Sequence, residues 1–525
     1  MKAVESHAPA NLRLSMILVV AATAVVAGRI IGVDRVVVPA QFRPDPATVA
    51  GSIVLPLAGN HPIGIAALAA SREQTRRQID ADEQRGVWPA RRPEPVPTLG
   101  ANDRSRWLTV RALVDEGTYA IGYRDTDPQT GAYHDRGLAT QSGWYTNDKV
   151  LRPDIRDNTQ AFYSSKPPLL STILAGEYWL LKKALGWSMT THPRLVVRTI
   201  LLTVNAVPFF IYLALLARLA ARYGASDWGR LFVVAAAGFA TFVTAFSVTL
   251  NNHTVAAWSC LFALYAALSI YDGEGPVGAY LLAGFFAGFT ACNELPATCF
   301  AVFLGIVLAR KSIWRTAFLF VPGLLVPAAA FLLTNYLALG RLTPAYSEVG
   351  GPWYDYAGSY WQHVPGLIHR GIDWASQRES RAVYAFHMLF GHHGFFALTP
   401  LFLLAAGAIV ARLLRPRGMM ASAIGMVQML TLAVTVVVFG FYIWFAAARN
   451  YGGWTSGLRW LIWVTPLWMV SLLPAADWLA RRGWGRAIAY AALGLSIVSV
   501  NYPVWTPWHH PWLYDLLEGQ GWLKY

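Results

Sequence analysis

Acidic and basic residues are scarce in this chain and absent from long reaches of it. From Leu231 to Tyr271 there is no Asp, Glu, Lys or Arg, a run of 41 residues. As one helix that run would be ~60 Å long, twice the ~30 Å of a bilayer core, so it must reverse near Asn251-Asn252-His253. Only 14% of all residues are charged, against ~25% in soluble domains, which excludes an ordinary water-soluble globule. Cysteine is also rare. Cys260, Cys292 and Cys299 all lie in apolar segments, which excludes a disulfide framework or a cysteine zinc site and leaves small buried hydrophobes. No internal repeat is visible.

What the chain does hold is apolar and aromatic side chains, 55% hydrophobic and 13% aromatic with 22 Trp. Tryptophan in such numbers suits anchors at a membrane interface. The net charge of +14 does not indicate a nucleic-acid partner, because the basic residues fall in short clusters between apolar runs. Lys2 and Arg13 precede the apolar run Leu14 to Gly28, which reads as an uncleaved first helix. Further spans are expected at 195–217, 231–250, 254–271, 276–292, 295–309, 316–338, 395–411, 419–446, 460–478 and 487–503.

The expectation is an all-α polytopic membrane protein with about 11 transmembrane helices and a large external loop domain after the first. With the N-terminus in the cytoplasm, one face collects Arg218, Arg222, Arg230, Arg310, Lys311, Arg315, Arg412, Arg415, Arg417, Arg481, Arg482 and Arg486. The short segments of the other face carry only Arg449, Arg459 and Lys524. This asymmetry also demotes 167–187, which holds Glu177, Lys182 and Lys183, from a span to an amphipathic helix at the membrane surface. The resulting divisions are 1–33 (cytoplasmic end and first helix), 34–194 (external loop domain), 195–338 (hairpins), 339–394 (second external loop), 395–503 (last helices) and 504–525 (external tail). Pro39 to Leu99 is Pro-rich, with a polar helical piece expected from Ser71 to Arg85.

Chemistry is sought in the residues left in water at helix ends. Trp107 to Tyr119 reads WLTVRALVDEGTY, with Trp107, Val110, Leu113 and Val114 at helical spacing and Asp115-Glu116 following. Asp148-Lys149 and then Tyr163-Ser164-Ser165-Lys166-Pro167-Pro168-Leu169 come later. A carboxylate near a lysine at a membrane surface suits sugar transfer: one takes a proton from a hydroxyl, the other neutralises a leaving phosphate. An Asp-Glu pair on a surface helix is more often simply solvated.

Together these motifs resemble the GT-C membrane glycosyltransferases, most closely the bacterial aminoarabinose and protein-mannosyl transferase relatives. The resemblance rests on an acidic pair with Tyr119 three residues after the Glu, then Lys-Pro-Pro-Leu opening an interfacial helix. FGHHGFFALTPLF (390–402) and GGWTSGLRWLIWVTPLW (452–468) are similar to later segments of the same superfamily. The resemblance implies sugar transfer from a polyprenyl-phosphate donor to a lipid, glycan or protein acceptor on the non-cytoplasmic face of a bacterial inner membrane. It implies Asp115 as general base with Glu116 in support, and Lys166 on the donor phosphate. Arg449 and Arg459 are further phosphate candidates, with interfacial anchoring as the plainer reading. This sequence carries about 80 residues between the first helix and the acidic pair and about 50 between the pair and Lys-Pro-Pro.

Tyr119, Asp148, Tyr163, Glu294, Asn252 and His253 are expected to line the substrate cavity. Glu294 follows 19 residues without a charge, and an acid at membrane depth is a functional candidate. Asn251, Asn252 and His253 equally suit helix capping. His387, His392 and His393 have no clear carboxylate partner in the sequence, and some relatives use a divalent cation while the mannosyl-transferase type generally does not. No metal or cofactor is therefore expected. The competing readings are a transporter or lipid flippase, disfavoured by the lack of mid-span charge and inverted repeats, and a non-catalytic membrane scaffold of the same fold.

Overall fold

The computed structural model describes residues 8–36, 95–141, 143–362, 371–414, 422–446, 449–503, 506–523 and 525. The expected helix over 71–85 lies outside the described residues, as do Lys2, Arg415, Arg417 and Lys524 of the charge pattern.

In chain order, α1 (Ala8–Gly32) leads to α2 (Ala101–Asp115). Four strands follow: β1 (Gly122–Thr126), β2 (Tyr133–Arg136), β3 (Lys149–Pro153) and β4 (Gln160–Ser164). Next come α3 (Pro168–Leu185), α4 (Pro193–Tyr223), α5 (Asp227–Phe246), α6 (Asn252–Tyr271) and α7 (Gly278–Asn293). The chain continues through α8 (Leu295–Ala309), α9 (Ile313–Leu339), α10 (Arg381–Leu389), α11 (Leu401–Leu413) and α12 (Ala423–Phe445). It closes with α13 (Arg459–Ala480), α14 (Gly483–Asn501) and α15 (Trp512–Gly519).

Eight of these helices, α1, α4, α5, α6, α9, α12, α13 and α14, are long and apolar enough to cross a membrane. The shorter helices α7, α8 and α11 occupy other stretches where spans were expected. The charge-free run from Leu231 is not one helix but two. Helix α5 ends at Phe246 and α6 starts at Asn252, capped by Asn251, whose side chain accepts from Thr254 N at 2.9 Å. At the other end of α5, Asp477 of α13 accepts from Ala225 N (2.7 Å), Ser226 N (2.8 Å) and Ser226 Oγ (2.6 Å). Otherwise unpaired amides at a helix start are thereby satisfied from a neighbouring helix.

Helices α7 and α9 touch through glycines. A Cβ on Gly284 would meet Phe320 O at 1.9 Å, and one on Gly323 would meet Leu281 O at 2.3 Å. Small residues permit this backbone approach, which supplies packing where lipid removes the hydrophobic drive between helices.

The all-α expectation needs correction. Strands β1 to β4 form an antiparallel sheet in the order β2-β1-β4-β3. The strands are only four or five residues long, and the turns are made by side chains that mimic backbone. Asp127 accepts from Gln129 N at 2.7 Å between β1 and β2. Asp154 accepts from Arg156 N at 2.9 Å between β3 and β4, where Asn158 takes φ 62°.

Helix α2 is the spine of this mixed unit. Trp107, Leu108 and Val110 are fully buried, each contributing roughly 1.5–3 kcal/mol of burial. Helix α3 packs beside it through Leu170, Leu174 and Tyr178, while Ile173, Trp179 and Leu180 stay exposed. The segment after α9 lies against the free edge of β3, where Leu151 N donates to Trp353 O at 3.0 Å.

Candidate functional site

The sheet register builds the first part of the site. Lys149 of β3 pairs with Ser164 of β4, so the residue before one strand and those after the other are neighbours. Ser165 N donates to Asp148 O at 3.2 Å, and Lys166 Nζ reaches Asp148 Oδ1 at 3.0 Å. Ser105 Oγ of α2 also donates to Asp148 O, at 2.6 Å, fixing this strand end to the helix.

Helix α2 supplies the second part. Asn102 and Arg106 are one turn apart and share a face. Arg106 Nη1 donates to Asn102 O (2.9 Å) and Oδ1 (2.5 Å), and its Nη2 donates to Asn252 Oδ1 at the start of α6. Asn252 Nδ2 in turn donates to Asn293 O at 2.7 Å and to Glu294 Oε1 at 2.8 Å. The same Glu294 oxygen is hydrogen-bonded to His253 Nδ1. The N-terminal turn of α2 is locked by Asp103, which accepts from Leu99 N (2.9 Å), Gly100 N (2.7 Å) and Thr249 Oγ1 (3.0 Å).

These groups line one cavity of about 620 Å³, within the ~300–1,000 Å³ of small-molecule sites. Arg459, at the start of α13, lines it too. Among the described residues its Nε is buried without a partner, and its guanidinium lies over the Trp508 ring at 5.1 Å. Among the described residues its side chain has no ion-pair or hydrogen-bond partner. The opposite wall comes from the segment before α10. Asp373 Oδ2 accepts from Tyr360 at 2.8 Å, and its Oδ1 lies 3.4 Å from Asn450 Nδ2. Gly452 and Gly453 take φ 93° and 74°. A Cβ on Gly453 would sit 2.5 Å from Asp373 Oδ1, so glycine is needed there for both conformation and space. Tyr346, Trp361, Tyr442 and Trp460 complete an aromatic lining.

The electrostatics divide the cavity. Burial lowers the Lys166 ammonium to about 8, with Arg106 and Arg459 adding to the effect against Asp148. Burial also lowers Arg106, to about 10. Burial pushes Asp148 up, but Lys166, Arg459 and Arg106 outweigh it and hold that carboxylate below its usual range. Asp373 goes the other way. Burial raises it, and the hydrogen bonds from Tyr360 and Asn450 only partly oppose that. One carboxylate is thus held charged beside cations, and a second is made more basic.

Of the expected site residues, Asp148, Lys166, Asn252, His253, Glu294 and Arg459 meet at this cavity. Asp115 and Glu116 do not. They sit at the far end of α2, about 13 Å along the helix axis from Arg106. Asp115 Oδ1 accepts from Lys182 (2.7 Å) and Tyr178 (3.0 Å), and Oδ2 pairs with Arg111 at 3.5 Å. Glu116 is exposed. The role of general base is corrected on this ground: Asp115 is consumed in tying α2 to α3. Tyr119 bonds Thr172 at 3.1 Å and Tyr163 of β4 is buried in a packing cluster with Val150 and Ala338, and neither lines the cavity. Arg449 Nη2 donates to Ser376 O at 3.3 Å and is likewise absent from the lining.

Asn102, Arg106 and Asp373 were missed in sequence. The signal for the first two is their four-residue spacing on the helix that precedes Asp115. Asp373 leaves no comparable signal. The histidine expectation is also corrected, because His387 and His392 do have a carboxylate neighbour in Glu379.

No family model matches the chain, and no curated protein matches it. Among solved structures it is similar to the archaeal oligosaccharyltransferase AglB from Archaeoglobus fulgidus in complex with an inhibitory peptide and a dolichol-phosphate. The TM-score is 0.41 at 12% identity, over 80% of this chain and 54% of that one. The apo form of the Archaeoglobus fulgidus oligosaccharyltransferase gives 0.39 at 12% identity, over 82% and 53%. This chain therefore spans about half the length of those chains.

Proposed function

We propose that the protein is a GT-C-type membrane glycosyltransferase that moves a sugar from a polyprenyl-phosphate donor to an acceptor hydroxyl. The observation that carries this reading is the meeting of Arg106, Lys166 and Arg459 with Asp148 and Asp373 on one aromatic-lined cavity, at an end of apolar helices. An unpaired guanidinium suits a phosphate. Aromatic walls suit the faces of a sugar and the first units of a polyprenyl chain. The basic clusters at the opposite helix ends favour placing the cavity on the non-cytoplasmic face.

The reaction is a single displacement. The acceptor oxygen attacks the sugar C1 while the bond from C1 to the phosphate oxygen breaks. The acceptor proton passes to Asp373, the carboxylate whose surroundings raise its basicity. The phosphate leaves on the polyprenyl chain, its growing charge met by Lys166 and Arg459. Asp148 orients Lys166, and Arg106 holds the turn carrying Asn252 against Glu294. Inversion at C1 follows from the single displacement.

Charges grouped at one helix end rather than at mid-span favour this over transport. The test is binding of polyprenyl monophosphate by the detergent-purified full chain, read by native mass spectrometry. Wild type should retain one lipid, and Lys166→Met with Arg459→Met should lose it. Equal retention by wild type and the double variant would refute the phosphate assignment.

A further inference from the structure

A second cluster lies behind the Asn450 wall of the cavity. Glu379, His387 and His392 each offer a ligand atom, and the three atoms lie within 4.8 Å of one another. All come from α10 and its flanks, so one short stretch of chain sets their spacing. The His387 and His392 rings stack at 4.1 Å between centroids. Gly391 makes that fold possible, because a Cβ there would stand 2.1 Å from His387 Nδ1.

The cluster is held by phenols. Tyr525 donates to Glu379 Oε1 at 2.6 Å, and its oxygen lies 2.7 Å from His392 Nε2. Tyr451 donates to the other Glu379 oxygen. His392 Nδ1 faces His393 Nδ1 at 2.5 Å. Tyr451 is also strained, at φ 59°, unusual for a bulky non-glycine residue. Its neighbours Asn450, Gly452 and Gly453 line the cavity beside Asp373.

The geometry points to a zinc(II) site made by Glu379, His387 and His392, placed to fix Tyr451 and with it the Asn450–Gly453 wall of the cavity. Two imidazoles and one carboxylate form a donor set suited to this borderline cation. Bonds of ~2.0–2.1 Å put tetrahedral donors roughly 3.3 Å apart. Side-chain rotation therefore has to close about 1 Å or more from the separations seen here. The Tyr525 oxygen stands between His392 and Glu379, where the metal or its fourth ligand would go. In the metal-free state that hydroxyl keeps the two ligands together.

The site does not depend on the transfer reading, and its test reads metal rather than activity. Untagged full chain in detergent is stripped with a chelator, given zinc or magnesium at one equivalent, and gel-filtered for elemental analysis. Wild type should keep one zinc per chain and no magnesium. His387→Gln and His392→Gln should each weaken zinc binding by ~100-fold or more, beyond the ~10–100-fold typical of an outer hydrogen-bond partner. His509→Gln, an exposed histidine outside the cluster, should keep it. Cobalt(II) added to wild type gives a folding-independent check, since a four-coordinate site absorbs strongly in the visible. No retained zinc in wild type, zinc retained equally by both cluster variants, or only six-coordinate cobalt absorption would overturn the proposal.

Discussion

The two ends of α2 carry similar charges and do different things. At its C-terminal end Asp115 meets Arg111, Lys182 and Tyr178, so each oxygen already has a partner. At its N-terminal end Arg106 belongs to a chain of amides and acids that, among the described residues, leaves Arg459 Nε without a partner beside a cavity. The lesson is that a charged motif becomes a candidate site through unused valence next to open volume. A saturated ion-pair cluster holds two helices together; an unsaturated one has capacity left for a ligand.

Breaking the unsaturated side should give the largest effects. Asp373→Asn is expected to lower sugar transfer by ~10²–10⁴-fold, the range of general base catalysis, with little change in donor binding. Transfer of label from radioactive polyprenyl-phosphate sugar in membranes would check it. Lys166→Met should weaken donor binding and rate together, by ~10²-fold, because its charge acts on the phosphate before and during bond breaking. Arg459→Lys keeps the charge but loses the planar fork, and an increase in donor KM of ~10-fold is expected from steady-state kinetics.

The pH profile sharpens the comparison further. The Lys166 ammonium, lowered to about 8, is the form that holds phosphate. Donor affinity should therefore be present below pH 8 and fall as pH rises through it, at constant ionic strength. Asp373 must be ionised to accept a proton, and burial raises it. The acid limb of the rate should therefore lie above the usual carboxylate range and vanish in Asp373→Asn. The smallest effect on transfer belongs to the saturated end. Asp115→Ala should leave transfer within about threefold. It should cost about 1–2 kcal/mol of stability, mainly by leaving the Tyr178 hydroxyl and a lysine without their acceptor. Thermal unfolding in detergent measures that.

The apolar helices were legible because charge is excluded from the bilayer, so runs such as Leu231 to Tyr271 announce themselves. Asn252 and His253 were legible as polar residues breaking such a run near its middle, and Glu294 as the acid that ends one. The sheet was not, since β1 to β4 are short, polar on one side and closed by side-chain turns rather than by Gly-Asn signals. Asp148 and Lys166 were both visible, but their contact comes from the β3–β4 register, which local pattern does not give. Asp115 was misread because adjacency to Glu116 and Tyr119 says nothing about depth. Asp373 was missed because its approach to the site depends on the Gly452-Gly453 turn, nearly 80 residues away in sequence.

The most direct measurement is a side-by-side transfer assay of Asp373→Asn and Asp115→Asn in membranes containing equal amounts of each protein. Loss of transfer in Asp373→Asn with near wild-type rates in Asp115→Asn is the expected result. The reverse pattern would contradict the assignment, returning the base to the far end of α2 and stripping the cavity of its proposed chemistry.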